Sequence, residues 1–199
     1  MIQPQILRLT EKIIATGYLP SYDEACALAR LPETDTLDLL ICAGKITRFI
    51  KKDHITLCAI LNAKSGFCTE DCAFCAQSSH HETGIPTYDL KSEEFMVADA
   101  KARRAAGATR FSMVTSGLML TEEEIATICR SAKRITQDTD ITVCASVGTL
   151  TADRARALRK NGVTVYHHNL ETARSFFDQI CTTHDYDDDV NTLKLVKDA

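Results

Sequence analysis

The chain has 199 residues, 45% hydrophobic and 25% charged, the composition of an ordinary soluble globular protein. Its 23 basic and 27 acidic residues leave a formal charge of −4, which argues against nucleic-acid or anionic-membrane binding driven by bulk charge. No apolar run approaches the roughly 20 residues of a membrane helix, and Arg8, Glu11 and Lys12 interrupt the apolar core that a signal peptide needs. The expected location is cytoplasmic.

From Met1 to about Lys52 the pattern is helical, with Ile2, Ile6, Leu9 and Ile13 at helical spacing. Ser21 to Glu24 reads as a capping box opening a second helix over 25–31. A third, capped by Asp35, runs through Leu37, Leu39, Leu40 and Ile41 and is expected to close at Gly44. After Asp53 strands and helices alternate. Strands are expected at 55–60, 110–115, 141–147 and 163–169. Helices are expected at 93–106, from the capping box at Thr121–Glu124 to about Ile135, at 151–160, and from Tyr186 onward. Such units imply parallel strands joined by right-handed crossovers, with chemistry just after the strand ends. A closed eight-stranded barrel takes about 250 residues. Four units, and a last helix without a Gly or Pro stop, suggest a sequence truncated at its C-terminus. The expected organisation is thus a helical segment, 1–52, and the first half of a TIM-type (βα) barrel, 53–199.

Nine cysteines are many, and their odd number does not suit a secreted disulfide scaffold. Cys26, Cys42, Cys58, Cys129, Cys144 and Cys181 are scattered among apolar residues. Cys68, Cys72 and Cys75 instead spell C-x3-C-x2-C on the long polar loop after the first strand. Three thiolates there can hold three irons of a 4Fe-4S cluster and leave the fourth open to a substrate. The alternatives are a structural zinc site completed by His80 or His81, or three unconnected thiols.

The motif, with Phe74 before its third cysteine, resembles that of radical S-adenosylmethionine enzymes. The surrounding text is similar to the biotin synthase family: Asn62-Ala63-Lys64-Ser65-Gly66, Ala76-Gln77-Ser78-Ser79, Gly107-Ala108-Thr109-Arg110-Phe111, Gly148-Thr149-Leu150 and Tyr166-His167-His168-Asn169-Leu170-Glu171-Thr172. The resemblance implies that Cys68, Cys72 and Cys75 hold a 4Fe-4S cluster whose open iron takes S-adenosylmethionine. One electron then yields a 5′-deoxyadenosyl radical, which abstracts hydrogen from dethiobiotin; a second iron–sulfur cluster, 2Fe-2S or a variant, donates sulfur. By the same resemblance Phe74 packs near the adenine, Ser116 and Gly117 meet the methionyl part, and Asn169 and Glu171 the ribose. His167 replaces an asparagine that contacts substrate, with Asn169 beside it. Cys144 matches a ligand of the second cluster. Ser112 is the departure, for it stands where the family text Thr-Arg-Phe-Cys has another such ligand, and a hydroxyl is a much poorer iron ligand. The family also implies flavodoxin or ferredoxin as electron donor and a homodimer for the full-length form. A half-barrel leaves an open strand edge and lacks its opposite wall, so residues 1–199 alone are expected to be inactive.

Two readings compete: a radical enzyme of the same superfamily with another substrate, and a zinc-stabilised binding module on the cysteine loop. The acidic run Asp185, Asp187, Asp188 and Asp189 reads as a solvated helix start, where negative charge suits the helix dipole. Cys181, with Cys26, Cys42, Cys58 and Cys129, reads as structural or incidental.

Overall fold

The computed structural model describes residues 2–52 and 54–199. Met1 and Asp53, where the expected organisation begins and changes, lie outside the described residues. The chain divides into two compact units, Met1–Ile55 and Thr56–Ala199.

The first unit is helical. Helix α1 (Pro4–Thr16) is opened by the Gln3 side chain, which accepts from the Ile6 N–H, and is closed by Gly17 at φ +67°. Helix α2 (Tyr22–Ala29) begins at the Ser21/Glu24 capping box. Helix α3 (Thr36–Lys51) runs straight through Gly44, contrary to expectation. Gly44 is not left-handed, and the apolar positions Ile46, Phe49 and Ile50 continue beyond it, so nothing stops the helix there. Ile6 of α1 and Cys42 of α3 are buried within this unit.

The second unit carries β1 (Cys58–Lys64), α4 (Glu93–Ala105), β2 (Arg110–Thr115), α5 (Glu122–Asp138), β3 (Thr142–Ser146), α6 (Ala152–Lys160), β4 (Val163–Tyr166) and α7 (Tyr186–Asp198). The strands form one parallel sheet in the order β1-β2-β3-β4, the arrangement of consecutive units in a (βα) barrel. Strand β1 starts and ends later than the apolar run suggests, because Asn62 and Lys64 pair although they are polar. Strand β4 stops at Tyr166, so His167 to Asn169 belong to the following loop. A 3₁₀ segment, Arg174–Gln179, has no counterpart among the expected elements.

Strand alternation sorts the side chains onto two faces. Leu61, Ala63, Phe111, Met113, Val143 and Ala145 join Met96, Val97 and Ala100 of α4 and Ile125, Ile128 and Ile135 of α5 in the core. The opposite face presents two cross-strand rows, Ile60–Ser112–Cys144 and, one step toward the C-terminal ends, Asn62–Val114–Ser146. The polar row leads to the site.

Candidate functional site

The cysteine loop begins where β1 ends. Ser65 exchanges both backbone hydrogen bonds with Tyr88, at 3.0 and 2.9 Å. Gly66 follows at φ +76°, and a Cβ there would lie 2.4 Å from Thr87 Cγ2, so only glycine fits. Its N–H donates to Gln77 Oε1 at 2.6 Å, and its carbonyl accepts from Ser116 Oγ at 2.6 Å. Further bonds close the loop on itself: Cys68 N–H to Gln77 O (3.2 Å), Ser79 N–H to Cys68 O (2.8 Å) and Cys75 N–H to Cys72 O (2.9 Å). The thiols thus sit on a loop whose shape is fixed by its own backbone. Phe67, just before Cys68, and Glu171, across the site, are both non-glycine residues in the left-handed region, at φ +56° and +58°. Each conformation costs on the order of 1 kcal/mol.

A second segment, after the 3₁₀ turn, clasps this loop. Ala73 N–H donates to Ile180 O at 2.8 Å. Thr182 donates its N–H and hydroxyl to the Asp71 carboxylate at 2.8 and 2.5 Å, and these bonds hold the Asp71 carboxyl well below the usual range. Buried Glu70 accepts from Thr183 Oγ1 at 2.6 Å and lies 2.7 Å from His184 Nδ1. At the start of α7, Asp189 Oδ1 is 2.8 Å from His168 Nε2. Over 100 residues apart in sequence, the two segments form one wall.

That wall and the strand ends enclose a cavity of about 310 Å³, within the size range of cofactor pockets. Cys68, Cys72 and Cys75 line it together with Ser116, Gly117, Asn169 and Glu171. Four expected residues do not reach it. Phe74 is 58% exposed and lines no part of it. His168, rather than His167, faces the cavity, because β4 ends at Tyr166 and the His168 ring is drawn to Asp189. Ser112 and Cys144 are buried one row deeper, side by side in register on the cavity face of the sheet. Burial first, and then neighbouring Cys58, push the Cys144 thiol up.

The donors discriminate between a cluster and a single ion. The three loop thiols do not all come within 4.8 Å of one another, a criterion that Glu70, Cys181 and His184 meet among the described residues. One zinc ion, with Zn–S bonds of about 2.3 Å, would hold its sulfurs roughly 3.8 Å apart. The imidazoles proposed to complete such a site are engaged otherwise: His80 Nε2 is 3.0 Å from Thr69 O and His81 Nε2 3.1 Å from Cys72 O. Wide spacing and three thiols fit a 4Fe-4S cluster. Burial pushes the Cys72 thiol up to about 12, helped by Cys181, Cys75 and Cys68. Metal charge is what lets adjacent thiolates form in such a place.

The model of the family described as the Radical SAM superfamily matches residues 63–199, from the end of β1 through α7. The chain belongs to that superfamily. Radical SAM relatives include the biotin synthase of Syntrophus aciditrophicus (strain SB), 53% identical over 192 residues, 96% of this chain and 59% of that protein. The biotin synthase of Nitratidesulfovibrio vulgaris (strain Hildenborough) is 50% identical over 177 residues, 89% of this chain and 49% of its own. The chain therefore spans about half to three-fifths of the length of these curated relatives. Among solved structures, the FeFe-hydrogenase maturase HydG from Carboxydothermus hydrogenoformans aligns with TM-score 0.76 at 21% identity, over 98% of this chain and 46% of that one. Methylornithine synthase (PylB) aligns with TM-score 0.77 at 18% identity, over 96% and 56%. At those identities the likeness is one of fold, and the half-barrel architecture expected from the sequence agrees with it.

Sequence reasoning missed part of this site. Cys181 is not incidental, for its Sγ lies 3.8 Å from Cys72 Sγ. Asp189 is not solvated but 4% exposed, buried against His168. The available signal was a polar stripe: Asp189 and Thr192, three apart, are the buried residues of α7. Asp185 and Asp188 do form the expected helix start, and Asp187 pairs with Arg174 at the surface.

Proposed function

We propose that this chain carries the S-adenosylmethionine site of a biotin synthase, an enzyme that inserts sulfur into dethiobiotin. The observation that carries the reading is the cysteine loop standing across one cavity from Asn169 and Glu171, in a chain whose relatives named biotin synthase are 53% and 50% identical. Cys68, Cys72 and Cys75 hold a 4Fe-4S cluster with one iron free of protein ligand. When bound, that cluster supplies the electron that cleaves the sulfonium of S-adenosylmethionine. Ser116 and Gly117 receive the methionyl part of the cofactor; Asn169 and Glu171 accept its ribose hydroxyls. Phe74, exposed on the loop, is given no role in holding the adenine.

Cys144, with Ser112 beside it, marks the place of a second iron–sulfur cluster one row deeper in the half-barrel. Serine in that row favours a cluster of variant type. Asn169 is the candidate for the dethiobiotin ring; His167, which lies outside the cavity lining, is given no part in it. A small electron-transfer protein, flavodoxin or ferredoxin, supplies electrons in the cytoplasm, and the whole enzyme is a homodimer. Among the described residues no helix is long and apolar enough to cross a membrane.

Ser112 also favours a second reading, a radical enzyme of this superfamily acting on another substrate. Anaerobic reconstitution with iron and sulfide, followed by EPR and turnover with the full-length enzyme, separates the two. The expected result is a reduced cluster whose spectrum changes on adding S-adenosylmethionine, together with conversion of dethiobiotin. Cofactor cleavage without conversion establishes the second reading. Zinc in place of iron, with no response to the cofactor, overturns both.

A further inference from the structure

We infer that the Cys181 thiol donates a hydrogen bond to the sulfur of Cys72 and thereby raises the reduction potential of the cluster that Cys72 ligates. Resting on the cluster assignment proposed above, the inference concerns a positioning residue outside the cavity. Cys181 is 3% exposed and lies behind Cys72, its Sγ 3.8 Å from the Cys72 Sγ. The contact is fixed from both sides: Ala73 N–H binds Ile180 O, and Thr182 binds Asp71. Neither loop can drift without breaking those bonds.

Four polar groups surround the Cys181 sulfur, and their chemistry selects the acceptor. The Asp71 carboxylate, which the Cys181 thiol also helps to hold low, already accepts from both the N–H and the hydroxyl of Thr182. His184 Nδ1 is 3.2 Å away, but it also lies 2.7 Å from Glu70 Oε2. A carboxylate only accepts, so that nitrogen carries the proton and cannot take another from sulfur. Thr183 Oγ1, at 3.3 Å, is already committed as a donor to Glu70 at 2.6 Å and offers a weakly basic hydroxyl oxygen. Cys72, once its sulfur is a thiolate on iron, is the anionic acceptor in reach whose bonds are not already taken. The competing idea, a single ion held by Glu70, Cys181 and His184, fails on distance. Two nitrogen or oxygen ligands of a tetrahedral zinc stand about 3.3 Å apart, whereas 2.7 Å is the length of a hydrogen bond.

Hydrogen bonds to cluster sulfurs are one of the means by which a protein sets the potential. A donor stabilises the electron-rich reduced state more than the oxidised one, so its loss makes reduction harder. The test is an EPR-monitored redox titration of the reconstituted full-length enzyme, with iron content measured alongside. Cys181→Ala is expected to titrate at a more negative potential than wild type at equal iron content. Cys181→Ser, which keeps an O–H donor, is expected to stay close to wild type. If the alanine variant titrates with wild type, or if alanine and serine shift equally, the inference is overturned. Should the alanine cavity prevent cluster loading, the isosteric pair Cys181→Thr and Cys181→Val poses the same contrast, and equal potentials in that pair overturn it. A wild-type protein without a cofactor-responsive cluster would instead signal failure of the underlying assignment.

Discussion

The two faces of the four-stranded sheet are made by different means. On the helix side, Leu61, Phe111, Met113 and Val143 meet α4 and α5 through apolar contact alone. On the cavity side, Phe177 packs on His184 and Tyr186, but the loop itself is held differently. Gly66, Cys68, Glu70 and Asp71 are held instead by directional bonds from Gln77, Ser79, Ser116, Thr182 and Thr183. Apolar burial is non-directional and tolerates small shifts, whereas a loop that must present three thiols at set spacing needs directional bonds. The lesson is a division of labour: one face supplies the free energy that holds the other face in shape.

That division is broken most severely from the helix side. Phe111, the second residue of β2, is fully buried. Phe111→Ala removes its burial and leaves a cavity, and is expected to cost about 3–5 kcal/mol. Urea unfolding of the second unit's signal measures it. Near-wild-type stability would mean that the core does not rest on this row.

A smaller effect is expected at the seam between the faces. Gly148, just beyond β3, sits at φ +81°, and a Cβ there would lie 2.2 Å from the Leu118 carbonyl oxygen. The Thr149 N–H already binds that oxygen at 2.6 Å, and the buried Tyr166 hydroxyl donates to the Gly148 carbonyl. Gly148→Ala must therefore push the β2 and β3 exits apart, at a cost of roughly 2–4 kcal/mol. Because Ser116, Gly117 and Thr149 line the cavity, cofactor affinity should fall together with the melting temperature. A loss of stability with unchanged affinity would show the exits to be independent of the site.

The same contrast explains what could be read in the sequence. Strand β2 and the capped helices α4 and α5 were legible because apolar period and cap chemistry agree there. Strand β1 appears displaced in the sequence because its last residues, Asn62 and Lys64, are polar yet pair with β2, Lys64 reaching Glu124 of α5. The cysteine loop was visible as a local spacing. Its clasp was not: Glu70 and His184 are 114 residues apart, and no local period links them. For the same reason the sequence does not show that His168, held by Asp189 21 residues on, lines the cavity where His167 matches the family text.

The smallest effect separates charge from packing where β1 meets α5. Lys64, the last residue of β1, pairs with Glu124 in the first turn of α5 at 2.7 Å, both side chains 19% exposed. Burial alone would raise the Glu124 carboxyl, but Lys64 and the Thr121 N–H outweigh it and hold the group below its ordinary value. A carboxyl lowered in the folded state contributes stability above its unfolded pKa and loses it as pH falls through the folded one. Glu124→Gln keeps a side chain that can accept from Thr121 but has no charge for Lys64. The variant should be less stable than wild type by about 0.5–1 kcal/mol at neutral pH. The gap should close as pH falls below the carboxylate range, where wild type loses the same contribution. Thermal melts of both proteins across that range decide the point: a gap that persists in acid assigns the loss to packing or to the cap, and a gap that widens would reverse the sign argued for the pair.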